Sequence, residues 1–183
     1  MKKLATVAAL AILTASSVSA EGFYVGAGIS QERLSPVGAP ISVKSTNAIA
    51  LIGYDINDMI SVEAETSLPV SKDNSTESFS EITADVSVRH TAVFAKFTLP
   101  TSGSFKPFAR AGMTKGTAKA EVHGLFEDTQ KVNDTVFSYG IGAEWAMSEK
   151  FGLRVDYSMM EISDDLGGPA DVEVLALSSV YRF

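Results

Sequence analysis

The feature that most constrains this chain is a side-chain alternation of period two, carried on segments rich in glycine. Between 137 and 145, Phe137, Tyr139, Ile141, Ala143 and Trp145 share one parity, while Ser138, Gly140, Gly142 and Glu144 share the other. The following segment repeats the pattern: Phe151, Leu153, Val155, Tyr157 and Met159 alternate with Gly152, Arg154, Asp156 and Ser158. A helix would scatter both sets around its surface, whereas successive side chains of a strand point to opposite faces. Glycines inside the segments disfavour helix further. This reading predicts eight strands, at roughly 22–34, 45–54, 59–70, 84–98, 105–120, 135–146, 151–162 and 172–183.

The connections alternate in length. Those near 55–58, 100–104 and 148–150 are short, while those near 35–44, 71–83, 121–134 and 163–171 are longer and polar. Short turns at one rim, longer loops at the other and an even strand number predict a closed antiparallel barrel with both ends at the short-turn rim. There is no cysteine, so a hydrogen-bonded sheet must hold the chain without disulfides.

Which face meets water is decided by the other parity. A soluble barrel would place many lysines and glutamates there. Instead it carries Gly26, Gly28, Ser30, Gly53, Gly112, Ser138, Gly140, Gly142 and Gly152, with charges inserted singly. Small residues suit the narrow interior of an eight-stranded barrel, so the apolar face is expected to meet lipid. The same register turns Glu63, Glu65, Lys96, Arg110, Glu144, Arg154, Asp156 and Arg182 inward, four acids against four bases. Isolated charges there would be costly, so a paired network plugging the lumen is expected. Ten of the sixteen aromatics lie near a short-turn end or a terminus: Phe23, Tyr24, Tyr54, Phe97, Phe105, Phe108, Trp145, Phe151, Tyr181 and Phe183. They are expected to form an aromatic girdle at one membrane interface.

The first twenty residues read as a secretory signal peptide. Lys2 and Lys3 precede an apolar run from Leu4 to Ala15, and Val18-Ser19-Ala20 offers small residues for cleavage. The expected organisation is a signal peptide at 1–20 and one barrel domain at 21–183, with Glu21 as the mature N-terminus. The mature chain would carry 13 basic and 22 acidic side chains, a formal net of −9, which excludes nucleic acid as a partner. No later apolar run is long enough for a transmembrane helix.

FYVGAGIS (23–30), LIGYDIND with SVEAE (51–65), KPFARAGM (106–113) and FSYGIGAEW (137–145) resemble the small outer-membrane β-barrel family. That family includes the OmpA transmembrane domain, the OmpX/Ail group and the opacity proteins. The end, LALSSVYRF (175–183), is similar to the family's assembly signal, which places the role on Leu175, Leu177, Tyr181 and Phe183. The resemblance implies residence in the outer membrane of a Gram-negative bacterium, contact with its lipid and lipopolysaccharide, and folding by the outer-membrane assembly machinery. Ser179 departs from the pattern by standing where the family has an apolar residue. No peptidoglycan-binding domain follows, so wall anchoring is not expected.

Some members of the resembled class modify lipid A, an activity that requires a catalytic constellation. A serine hydrolase needs a nucleophile, a histidine base and an orienting acid. His90 reads as inward, and Ala92 occupies the place where deacylase barrels carry their serine. His123 has no assignable partners. Two isolated histidines without cysteine offer no zinc site, and the glycines of 25–30 lack the strand–turn–helix context of a phosphate loop. Met159 and Met160 read as lipid-facing and interior packing. Neither catalytic residues, cofactor nor metal are expected.

The connections at 71–83, 121–134 and 163–171 hold ten acids: Asp73, Glu77, Glu81, Glu121, Glu127, Asp128, Asp134, Asp164, Asp165 and Asp171. Only Lys72 and Lys131 oppose them. Such carboxylates are expected to bind divalent cations weakly, at about 10⁻⁴–10⁻³ M. Leu125 and Phe126 are placed to touch a partner of unknown identity or to continue the barrel wall. The expected function is a monomeric, non-enzymatic barrel with a structural or surface-interaction role. A lipid A-modifying enzyme and a narrow porin-like channel are the alternatives.

Overall fold

The structure, a computed structural model, describes residues 22–36, 43–71, 83–123, 128–164 and 168–183. The strands are β1 (Phe23–Pro36), β2 (Val43–Asp55), β3 (Ile60–Ser71), β4 (Thr83–Thr98), β5 (Phe105–His123), β6 (Asp128–Ala146), β7 (Phe151–Asp164) and β8 (Gly168–Arg182). Each pairs antiparallel with the next, and β8 returns to β1 to close the barrel. The seam starts at Tyr24 opposite Arg182, and Phe183 N donates to Phe23 O at 3.2 Å. Both ends of the sheet therefore lie at the short-turn rim.

The three short turns fall where the sequence places them, and local side chains close each one. Asn57 Oδ1 accepts from the amides of Met59 and Ile60 at 2.9 and 2.8 Å. Thr101 Oγ1 donates to Phe105 O at 2.6 Å, and Ser148 Oγ accepts from Phe151 N at 3.0 Å. Asn, Ser and Thr hydroxyls and amides supply these backbone partners, which is why such residues favour turns.

At the other rim the sheet rises further than expected. β5 runs to His123 and β6 begins at Asp128, with Val122 opposite Asp128. The connection is thus 124–127, not 121–134. Likewise β8 begins at Gly168, leaving 165–167 in place of 163–171. Beyond the hydrocarbon there is no lipid to reward an apolar face, so 128–134 lacks the alternation that reveals a strand, while 121–123 extends β5 by only three residues beyond the expected 105–120. Glu121, Asp128, Lys131, Asp134, Asp164 and Asp171 consequently belong to strands, and His123 ends β5 opposite Thr83. Lys72, Asp73, Glu77, Glu81, Leu125, Phe126, Glu127, Asp165 and the segment 1–20 lie outside the described residues.

The two faces separate as the parity demands. Ile141 and Trp145 are 66% and 56% exposed, while Ser138 and Glu144 between or beside them are 0% and 3%. Large apolar side chains outward in a continuous wall suit a lipid solvent. Two residues assigned to the aromatic girdle do not belong to it. Tyr24 and Phe108 are buried inside the barrel, because they share the inward parity of Gly26 and Gly28 and of Arg110 and Gly112. The other eight face outward or sit at the rim, with Phe23 stacked near Tyr54 at 4.7 Å and Tyr181 between Phe151 and Phe183 at 5.8 and 5.2 Å. The interior is also not uniformly polar. Towards the outer rim, Met160, Val172 and Val174 pack with Leu34 and Val136 as an apolar tier, which the register of charges alone did not suggest.

Two inward glycines permit close strand approach. A Cβ on Gly28 would run into Leu177 O, and one on Gly112 into Val93 O, both backbone atoms that cannot step aside. Gly112→Ala is expected to lose about 1–3 kcal/mol, the usual cost of overpacking. Urea titration of detergent-folded protein measures this; an unchanged midpoint contradicts it.

Candidate functional site: the charged interior

The inward parity of β1, β3, β4, β5 and β7 brings charged side chains together across the lumen. At the centre, Arg154 donates to both oxygens of Glu63, at 2.6 and 3.0 Å. These residues come from β7 and β3, on opposite walls, so the pair bridges the barrel. Glu63 also accepts from Tyr24 Oη at 2.6 Å and meets Lys96 Nζ at 3.1 Å, while Lys96 donates to Tyr24 Oη at 2.9 Å. A carboxylate with four donor contacts is fully satisfied despite burial.

From Arg154 the chain continues outward. Arg154 Nε meets Asp156 Oδ2 at 3.2 Å, and Arg110 Nη2 meets Asp156 Oδ1 at 2.5 Å, an ion pair outside hydrogen-bond alignment. Arg110 Nη1 then donates to Glu65 Oε2 at 2.8 Å, and Ser158 Oγ accepts from the same guanidinium. Glu65 Oε1 faces His90 Nε2 at 3.1 Å, and His90 Nδ1 faces Glu32 Oε1 at 2.9 Å. A separate cluster closes the inner mouth: Arg182 donates to Glu144 at 2.5 and 3.1 Å and lies 3.6 Å from Asp55. Aromatic faces back the cations. Arg154 and Lys96 lie 4.4 and 5.7 Å from the Phe108 ring, and Arg110 lies 4.3 Å from that of Phe94.

All eight residues named from the sequence point inward. Arg182 is partly exposed at the mouth, and the other seven are buried. Six of them, Glu63, Glu65, Lys96, Arg110, Arg154 and Asp156, join one chain; Glu144 and Arg182 form the second cluster. Sequence reasoning missed Glu32, although it shares the inward parity of Ser30. It also missed Ser67, whose Oγ lies 3.0 Å from His90 Nδ1 and accepts from His90 N at 2.8 Å. Ser67 comes from β3, so only the β3–β4 pairing could reveal it.

Ser67, His90 and Glu65 have the composition of a hydrolytic triad, but their geometry is that of a structural cluster. Both imidazole nitrogens face carboxylates, and Ser67 Oγ accepts from the His90 backbone amide, so ring and hydroxyl are held within one closed hydrogen-bonded group. Ser67 is 0% exposed and His90 4%, which leaves no room for a substrate carbonyl to approach. The cavity at the inner mouth, about 470 Å³, is lined by Lys96, Lys106, Phe108, Glu144, Arg182 and Asp55 and contains no histidine or serine. Among the described residues, no group of three or more His, Cys, Asp or Glu is arranged to hold a metal.

Leu175 and Leu177 face outward, as does Ser179, whose hydroxyl donates to Ala27 O at 3.3 Å. That bond satisfies the hydroxyl on a lipid-facing position, which accounts for tolerance of the departure.

A closed sheet, apolar outside and charged but paired within, defines a membrane-spanning β-barrel. The chain matches the model of the outer membrane protein beta-barrel domain over residues 4–183 and belongs to that family, whose place is the outer membrane. A search of the curated proteins finds no match. Among solved structures, Neisserial surface protein A is similar at 18% identity with a TM-score of 0.69, over 89% of this chain and 98% of its own. Ail, the attachment invasion locus protein of Yersinia pestis, is similar at 19% identity and 0.63, over 89% and 99%. The outer membrane protein OprG from Pseudomonas aeruginosa follows at 12% identity and 0.59, over 89% and 96%. These likenesses establish the shared fold.

Proposed function

We propose that the protein is a non-enzymatic, monomeric surface-interaction barrel, exported with loss of 1–20 and plugged by its interior charges. The observation that carries this reading is the lumen itself. Glu63 and Arg154 tie opposite walls together across the lumen, so the polar parts left to meet a partner are the rims. The acids of the outer rim give that surface its sign. Two relatives are named as a surface protein and an attachment–invasion protein, which supports the reading at the level of class. A complex of Ail with a heparin analogue has been solved, but a net of −9 after removal of 1–20 opposes a polysulfated ligand here.

The plug is tested by single-channel recording of the refolded protein in planar bilayers. No stable open level is expected, because a continuous water path would require breaking desolvated ion pairs. A large, stable conductance would replace this reading with the channel alternative. Exchanging the outer connections between this barrel and a non-binding relative, then assaying cell adhesion, tests the surface role. Lipid A mass spectrometry of a deletion strain tests the enzymatic alternative.

A further inference from the structure

The β3–β4 seam is shorter than the strands that make it. Its ladder runs from Ile60 opposite Phe97 to Thr66 opposite Thr91 and ends there among the described residues. β3 nevertheless continues to Ser71 beside β2, and β4 reaches back to Thr83 beside β5. Above Thr66 and Thr91 the wall therefore forks, each branch held by its other neighbour. Side chains take over from the ladder at that point. Ser67 Oγ accepts from His90 N at 2.8 Å, and Thr66 Oγ1 donates to His90 O at 3.3 Å.

His90 stands at the fork with its ring inside the barrel. Nδ1 lies 2.9 Å from Glu32 Oε1 on β1, and Nε2 lies 3.1 Å from Glu65 Oε1 on β3. A neutral imidazole has one N–H and one lone pair, and an ionised carboxylate only accepts. One of the two contacts would then set a lone pair against a carboxylate oxygen in a buried site. With both nitrogens protonated, each contact becomes a charge-assisted hydrogen bond. Charge balance asks for the same proton. The eight interior charges named from the sequence are four acids and four bases, and Glu32 is a fifth buried acid. An imidazolium supplies the fifth base. A proton on Glu32 would balance the count as well, but an ordinary imidazole holds its proton about a hundredfold more tightly than an ordinary carboxylate.

We infer that His90 holds a resident proton and, as an imidazolium, clasps the wall where β3 and β4 part. The ring ties β4 to β3 through Glu65 and to β1 through Glu32, so the fork cannot run further down the seam without breaking a desolvated ion pair. Among the described residues, the charged groups facing it are Glu32, Glu65 and, across Glu65, Arg110 of β5, which donates to Glu65 Oε2 at 2.8 Å. On β4 itself the next inward residue is Ala92. The hold is present while the ring is charged and is lost as rising pH removes the proton. It rests on the closed barrel and not on the surface-interaction role.

NMR of the refolded barrel with ¹⁵N-labelled histidine reads the ring directly, and His123→Gln removes the other histidine signal. At neutral pH both nitrogens of His90 should carry protons. A neutral single tautomer, or a neutral ring beside a protonated Glu32 carboxyl, would overturn the assignment. Amide exchange tests the clasp. His90→Gln keeps a donor but not the charge, and should speed exchange at residues 64–67 and 90–93 by about tenfold or more, the factor for one hydrogen bond to a charged group. Residues 24–28, at the far end of the β1–β8 seam, should be unchanged. In the wild type, raising the pH until the ring signals show loss of the proton should bring the same selective opening, with 24–28 correcting for the faster chemistry of exchange. Wild-type protection at the fork in the variant, or equal opening of both seams, would remove the clasp.

Discussion

Replacing Arg154 with methionine is expected to lower folding stability by about 3–5 kcal/mol, the cost of orphaning a buried ion-pair partner. Arg154 is 0% exposed and holds Glu63 through two nitrogens and Asp156 through a third. Without it, the Glu63 carboxylate retains Tyr24 and Lys96 but loses its bidentate partner in a site that water does not reach. Glu63→Gln alone should also destabilise, because it leaves Arg154 with surplus charge. The double variant should cost less than the sum of the two, since neither charge is then left facing an absent partner. Urea unfolding of the three variants and the wild type in one detergent supplies the cycle. Strictly additive costs would mean that the bridge contributes nothing as a pair.

Deleting Phe183 is expected to deplete the protein from the outer membrane while leaving its ability to fold in detergent largely intact. Phe183 is only half-buried at the end of the seam, contacting Tyr181 edge to face and Phe23 through one backbone bond. Its loss therefore removes little packing. If the last strand is what the assembly machinery reads, the cellular level falls far more than refolding does. Leu153→Ala is the control, an outward aliphatic truncation within β7, away from the terminal strand. Equal outer-membrane levels for the two variants would remove the assembly role from Leu175, Leu177, Tyr181 and Phe183 together.

What could be read from the sequence follows the solvent each part of the strand meets. Within the lipid band, apolar and small residues must alternate, so Phe137–Trp145 and Phe151–Met159 declare both their conformation and their faces. Parity also brought the eight interior charges inward before any pairing was known. It failed where another expectation overrode it. Tyr24 and Phe108 were grouped with the girdle because of their residue type, although their parity was that of inward glycines and Arg110. It was silent where lipid ends, and so 121–123 and 128–134 looked like loop. Partners are the other gap. Ser67 meets His90, and Glu63 meets Arg154 from 91 residues away, through strand register that side-chain periodicity does not encode.

The order in which the strands join has a consequence for how the barrel enters a membrane. Seven of its eight pairings unite neighbours in the chain, whereas the β1–β8 pairing must close a loop of nearly the whole molecule. Loop-closure entropy makes that pairing the natural late event. Until it forms, Glu63 and Arg154 sit on a sheet that has not yet curled shut, facing whatever solvent is present. Hydrocarbon would be a poor host for them. Insertion and closure should therefore advance together, so that the wall reaches lipid as the charges find each other. Cooperativity in this protein is then a requirement of transit as well as a property of the finished fold.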